Sequence, residues 1–440
     1  MATLGCHQPF HKYNNLFDDY MRIIIRLFCL AALLTGFTAL GADPTATSYT
    51  SSQCAGTHIP YPAPEGATSA PDSLTAVFVN HVGRHGARFP SSASNTRELL
   101  KALHEADSAK TITPAGRRLM ELAGYVAERC HNRWGALDSL GMAEQRGIAS
   151  RMFRAYPRLF DGGNVMAISS YAPRCVMSMF EFCHQLDRLN NHVETVTTSG
   201  RQNSQLMRPF DLDTEYIDWR ESRAWEEPYR MEFETTVPTA PARKIVGDLY
   251  KDSGRERRLS MTMYNFLSCL PAMGMANEFD QYFTNAELNA LWAVDNLRSY
   301  LRYSASTLST LPADLGAPLL LDLIQTTDAA VLGQSAQTVR LRFGHAETLM
   351  PLFSLMRLRG AYYMTNYFDT VAMHWRDFDI VPMAANLQII LYKSKRGNFY
   401  VRFDLNEHPI PLMPNSDEIY LPWSTARQYL NRCLPLHLQL

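Results

Sequence analysis

The chain reads as an α/β protein, a sheet flanked by helices and interrupted by an inserted, mainly helical segment. Three observations predict this. The apolar run Ala76-Val77-Phe78-Val79 leads into a tight basic loop and then a helix-forming segment, Thr96 to Ala106. The same order, strand then arginine then helix, returns at Val165–Arg174. Between about residues 190 and 333 helical patterns dominate, and strand-like alternation resumes only at Thr338.

In order, the chain opens with a segment expected not to join the fold. Residues 1–20 look out of place, and Met21 reads as the true start. Met21-Arg22 and Arg26 precede the apolar run Leu27 to Leu40 and the small pair Gly41-Ala42. That three-part form predicts a cleaved secretory signal over 21–42. The run is too short for a stable membrane anchor in the mature protein. Asp43 to Ser73, rich in Pro, Ser, Thr and Ala, is expected to be a surface lead-in that Cys54 tethers. The first strand is placed at Leu74–Val82. Thr113 caps a helix whose first residue is Pro114, and another helix runs from about Met142 to Tyr156, stopped by Pro157. A strand at Val165–Ser170 is followed by Arg174 and a helix through Met177, Phe180 and Leu186.

The helical span contains candidate helices at Arg243–Tyr250, Met261–Leu270, Asn285–Tyr303 and Leu319–Ala330, the third with Asn285 as N-cap. Thr338–Phe343 is the next strand, running into His345 and an apolar helix at Leu349–Leu358. Leu387–Tyr392 and Phe399–Phe403 form a terminal antiparallel pair turning at Lys395-Arg396-Gly397-Asn398. The expected division is therefore 43–189 with 334–440 as the α/β domain, and 190–333 as the helical insert.

Composition narrows the function. The formal net charge is −1, so no global field draws nucleic acid or an anionic membrane. Any anion must be attracted by a local arginine cluster. Beyond the signal, Cys54, Cys130, Cys175, Cys183, Cys269 and Cys433 permit up to three disulfides, and none forms a Cys-x-x-Cys pair of zinc or redox type. The absence of an Asn-x-Ser/Thr sequon and of a retention signal tilts an exported protein toward a bacterial periplasm or the medium.

The chemistry concentrates in Arg84-His85-Gly86-Ala87-Arg88. Arginine offers a planar, permanently charged fork matched to phosphate oxygens. Cations around His85 penalise its protonation and leave a neutral, nucleophilic ring. Gly86 is read as leaving room for backbone to approach a ligand. Arg174 and His345 follow other strands, where βα loops converge. Arg84, Arg88 and Arg174, with His345, would bind the phosphoryl oxygens. His85 would attack phosphorus to give a phosphohistidine, and Glu347 would protonate the leaving alkoxide. Arg208 is a further candidate for a substrate phosphate, its plain alternative being a surface ion pair with Asp211 or Asp213.

Arg84-His85-Gly86-x-Arg88 resembles the signature of the histidine phosphatase superfamily. His345-Ala346-Glu347, in place of the commoner His-Asp, resembles the multiple inositol polyphosphate phosphatases of the acid phosphatase and phytase branch. Leu137–Phe160, Ser170–Ser178, Phe283–Tyr303 and Val381–Asn386 are similar to that family as well. Ala87 stands where many relatives have threonine, and Ser91 where threonine often follows the proline. The resemblance implies a histidine-phosphatase-like sheet, with His85 as nucleophile and Glu347 as proton donor. It assigns Arg84, Arg88, Arg174 and His345 to phosphate binding. It implies removal of phosphates from inositol hexakisphosphate and lower inositol phosphates, with no metal or other cofactor and a small polyphosphorylated molecule as partner. The alternatives are a broad-specificity phosphatase acting on sugar phosphates, and a periplasmic protein that captures phosphate esters without chemistry.

Overall fold

The computed structural model describes residues 48–440 apart from Ala67. The expected signal at 21–42 and the residues before it lie outside them. The fold is built on one eight-stranded sheet in the order β3-β2-β4-β1-β5-β6-β7, with β8 paired to β6. The strands are β1 Leu74–Arg84, β2 Asn164–Ser169, β3 Glu194–Ser199, β4 Val339–Gly344, β5 Asn386–Ser394, β6 Phe399–Leu405, β7 His408–Ile410 and β8 Leu421–Pro422. β1, β2, β3 and β4 run parallel, and β5 lies antiparallel against β1. β1 and β4 are therefore central neighbours, and their carboxyl ends release Arg84-His85 and His345 side by side. Arg84 pairs with Gly344 in the register.

Helices cover both faces of β1 and β4, so most of both strands is buried, including the arginine Arg342 on the alternating β4. Val79, Val82, Val339, Leu341 and Phe343 are buried. One face packs on Ala346–Leu355 and Ala317–Val331, the other on Ser139–Ala155 and Pro173–Leu189. The predicted strands at 74, 165, 338, 387 and 399 all appear, with ends moved by a residue or two. The Gly397 turn joins β5 to β6 at a φ of 88°.

Several expectations need correction. β3 falls inside the span read as helical. Its Glu-Thr-Val-Thr-Thr-Ser sequence lies at the sheet edge with mostly exposed side chains, so no apolar alternation marks it. The helix at 285 is capped by Thr284, not Asn285: Thr284 Oγ1 accepts from Glu287 N, and the Glu287 carboxylate accepts from Thr284 N. Thr113 does cap its helix, accepting from Gly116 N at 3.1 Å. The helix expected from Met142 starts at Ser139 behind Asp138. The Arg243–Tyr250 helix is the shorter Ala240–Val246, the helix expected at Met261–Leu270 is Ser253–Leu267, and Leu349–Leu358 is Ala346–Leu355. Residues Thr214–Glu221 and Glu226–Thr236 add helices that the periodicity did not reveal.

The lead-in lies on the surface over most of residues 62–73, but its first part does not. Gln53–His58 forms a 3-10 helix whose Cys54, Ala55 and Gly56 are buried. All six cysteines named above are free thiols, so no disulfide tethers this segment. Tyr264 Oη instead donates to Cys54 O at 2.9 Å, and Met383 N donates to Ile59 O at 2.9 Å. Among the described residues, no helix is long and apolar enough to cross a membrane.

Candidate active site

His85 leaves β1 with its backbone tied on both sides: its N–H donates to Gly344 O and its carbonyl accepts from Ala384 N, both at 3.0 Å. The ring's Nδ1 lies 2.9 Å from Gly86 O. A carbonyl only accepts, so the proton sits on Nδ1 and the lone pair on Nε2. Burial holds the His85 imidazole well below its ordinary range, and Arg84, Arg174 and Arg88 push the same way. The result is a neutral ring with a fixed tautomer and a free nucleophilic nitrogen.

Gly86 does something other than admit a ligand. A Cβ there would stand 2.4 Å from Gly141 O, and one on Gly141 would stand 2.2 Å from Ala87 O. The loop thus rests backbone to backbone on the Ser139–Ala155 helix. That helix also supplies Gln145 Nε2 to Arg84 O at 3.0 Å and a Glu144 oxygen to Ala87 N at 2.7 Å. Glu144's other oxygen accepts from Tyr61 N at 2.8 Å. Burial raises its carboxyl to about 7. Ser178 Oγ accepts from Gly86 N and donates to Arg174 O, joining the loop to the first turn of the Pro173–Leu189 helix.

The three predicted phosphate-binding arginines meet here without carboxylate partners. Arg84 Nη1 donates to Thr57 O and Val381 O at 2.5 and 2.6 Å, Arg88 Nη1 to Phe89 O at 2.9 Å, and Arg174 Nη2 lies 3.1 Å from His345 Nδ1. The Nε atoms of all three are buried and unpartnered. Burial and the neighbouring Arg88 charge push the Arg84 guanidinium down, a sign of crowded cations. Such a cluster is stabilised by a multivalent anion.

His345 caps the Ala346–Leu355 helix, its N–H donating to Thr348 Oγ1 at 3.0 Å. Besides Arg174, it meets Arg208 Nη1 and Ser170 Oγ, each 2.9 Å from Nε2. Burial, Arg174 and Arg208 lower its basicity, so the ring is neutral with one lone pair. It can accept from one guanidinium only. The other is left with an N–H facing the ring and nothing to receive it, a mismatch that a phosphate oxygen between the groups relieves. Arg208 itself fulfils its plain alternative. It pairs with Asp211 at 2.6 Å and packs against the Tyr171 and Phe210 rings, reaching the site only through His345.

Arg84, His85, Arg88, Arg174 and Glu347 line one cleft of about 440 Å³. Glu347 is in the first turn of its helix, half-buried. The remaining walls went unrecognised in the sequence: Thr57 and His58 from the lead-in, Asn265 and Cys269, and a face of the Asn285–Tyr303 helix. His58 is held neutral by burial and by Arg88 and Arg84. The helix face had a legible signal, since Asp295, Arg298, Ser299, Arg302 and Tyr303 repeat at helical spacing. His58 had none. Among the described residues, no group of three or more His, Cys, Asp or Glu side chains is placed to hold a metal ion.

A neutral histidine ringed by three arginines at the carboxyl end of parallel strands, with a carboxyl on the same cleft, defines a phosphate-ester site on an α/β scaffold. Residues 77–406 match the histidine phosphatase superfamily (branch 2), and the chain belongs to that family. The human multiple inositol polyphosphate phosphatase 1 is 25% identical over 383 residues, covering 80% of this chain and 77% of its own length. The apo multiple inositol polyphosphate phosphatase of Bifidobacterium longum superposes with a TM-score of 0.75 at 17% identity, over 86% of this chain and 97% of that one. The same bacterial enzyme in complex with inositol hexasulfate superposes at 0.74, with 19% identity over 88% and 99%.

Proposed function

We propose that this histidine phosphatase removes phosphates from inositol hexakisphosphate and lower inositol polyphosphates. The observation that carries the reaction is the His85 tautomer: Nδ1 bonded to Gly86 O and Nε2 free among three arginines. Arg84, Arg88, Arg174 and His345 hold the phosphoryl oxygens. His85 Nε2 attacks phosphorus while the bond to the ester oxygen breaks. Glu347 gives its proton to the departing alkoxide. Water then attacks the phosphohistidine, Glu347 takes a proton from it, and inorganic phosphate leaves with His85 restored. Nδ1–H stays on Gly86 O throughout, so the ring accepts the phosphoryl group without losing orientation. No step draws on a metal.

The substrate class rests on the relatives named above, which carry inositol polyphosphate phosphatase in their names, and on a cleft walled by more cations than one phosphate needs. Export through the 21–42 segment, and a substrate-facing role for the helical 190–333 insert, are parts of the same proposal. The test is phosphate release from inositol hexakisphosphate against simple sugar phosphates, with acid-free trapping of the phosphohistidine. Turnover of hexakisphosphate with label on His85 supports the reading. A clear preference for the sugar esters, or turnover by His85→Ala near the wild-type rate, overturns it.

A further inference from the structure

The Pro173–Leu189 helix contributes Arg174 to the cleft, but two small side chains of its first two turns bind backbone where β1 and β4 end. Cys175 and Ser178 are fully buried. They lie one helical turn apart, so they share a face. Ser178 Oγ accepts from Gly86 N at 3.1 Å and donates to Arg174 O at 2.8 Å. Cys175 Sγ donates to Gly344 O at 3.1 Å.

Gly344 O is the informative atom. A carbonyl oxygen has two lone pairs, and here one takes the N–H of His85 itself, at 3.0 Å. The other takes the thiol. One oxygen at the end of β4 therefore ties the nucleophile's backbone to the residue next to Arg174. The sulfur also lies 3.6 Å from Nε2 and 3.8 Å from Nδ1 of His345. Nearly equal distances to both nitrogens mean that it braces the ring instead of bonding one of them. Burial pushes the Cys175 thiol up to about 12, so it keeps its proton, and hence its donor, at neutral and acid pH. A side chain that only filled this space would have no use for a hydrogen to donate.

We infer that Cys175 and Ser178 are positioning residues for phosphoryl transfer, fixing the His85 loop and His345 relative to Arg174. Neither is assigned a contact with the phosphate. Arg174, His85 and His345 come from three separate segments of the chain, and in-line attack needs all three aligned on one phosphorus atom. The helix that carries the arginine is also the part that holds the other two. Donors fixed before the substrate arrives need not reorganise during the reaction. This deepens the function proposed above and rests on its phosphohistidine step.

The experiment uses wild type, Cys175→Ala, Cys175→Ser and Ser178→Ala. It measures kcat and KM for p-nitrophenyl phosphate, the inhibition constant of vanadate, and the thermal midpoint. Vanadate takes the five-coordinate geometry of the transferring phosphoryl group, so its binding reports on alignment. Each alanine variant should lose between about tenfold and a hundredfold in kcat, with KM changed by less than about threefold. Vanadate affinity should fall in parallel with kcat/KM. Cys175→Ser keeps a donor of similar size and should recover most of the loss. A merely structural role would lower the midpoint and leave turnover per folded molecule unchanged, and that result overturns the inference. So does a kcat within about twofold of wild type in either alanine variant, or a serine variant no better than alanine. Should Cys175→Ala fail to fold, Ser178→Ala carries the test for the pair. A wild-type enzyme that forms no phosphohistidine sinks the underlying function instead, which separates the two failures.

Discussion

Two arginine-rich regions of this protein treat the same side chain in opposite ways. Around Arg151 and Arg402 each guanidinium meets a carboxylate. Arg151 grips Glu407 through Nε and Nη2, and Arg402 grips Asp404 at 2.8 and 2.7 Å with Tyr156, Tyr420 and Thr68 O completing its shell. Around His85 the partners are carbonyls and an imidazole, which orient a guanidinium without neutralising it. The nearby buried carboxyls do not restore balance either: burial lifts both Glu144 and Asp377 to about 7. The first region is closed electrostatically and the second is open. An open arrangement costs stability and is useful only when an anion arrives.

That contrast predicts which property each substitution damages. His85→Ala should lower kcat by on the order of 10⁴ or more while the melting transition stays in place, as removal of a nucleophile does. Rates under saturating substrate, read beside a thermal scan, check it. Asp404→Ala leaves Arg402 buried and unpaired, and should cost about 3 to 5 kcal/mol of stability. Folded enzyme should keep its turnover, so a large fall in kcat without a shift in denaturation midpoint would erase the distinction between the regions. Arg88→Ala should reverse that pattern. It removes one donor from the developing charge, lowering kcat/KM by about 10²- to 10³-fold, and relieves repulsion with Arg174, so denaturant stability should hold or rise.

The smallest effect concerns Asp377, whose Oδ1 accepts from Trp292 Nε1 at 3.0 Å while Oδ2 is buried without a partner. Its folded value is raised to about 7, chiefly by burial. The folded state therefore binds its proton more tightly than the unfolded chain does. Its contribution is fully present below the ordinary carboxyl range and is lost as pH rises toward 7. Asp377→Asn should flatten stability across that window. Denaturation midpoints at about pH 4 and pH 7.5 decide it, and an unchanged slope counts against the protonated form.

What could be read beforehand follows the same physics. β1, β4 and the βα loops were legible because the apolar run Ala76-Val77-Phe78-Val79 and the alternation from Thr338 to Phe343 mark strands whose ends carry the site. The family match over 77–406 agrees with the motif reading around His85 and His345. Edge strand β3, the Thr284 cap and the Gln53–His58 turn were not legible. The first has no apolar alternation, the second was placed one residue late beside a competing Asn, and the third is ordered by partners more than 200 residues away, as with Tyr264 and Cys54. Arg208 was left open between two roles because its partners, Asp211 and His345, come from near and far along the chain.

The contact between Gly86 and Gly141 has a consequence for engineering. Most enzyme loops can be retuned because side chains between loop and scaffold absorb the change. At the Gly86–Gly141 contact no side chain intervenes, so the helix acts there as a machined reference face against which the nucleophile is set. Pocket walls such as the Arg298 stripe can be redrawn for a new substrate, but any redesign has to begin from that face and leave it bare.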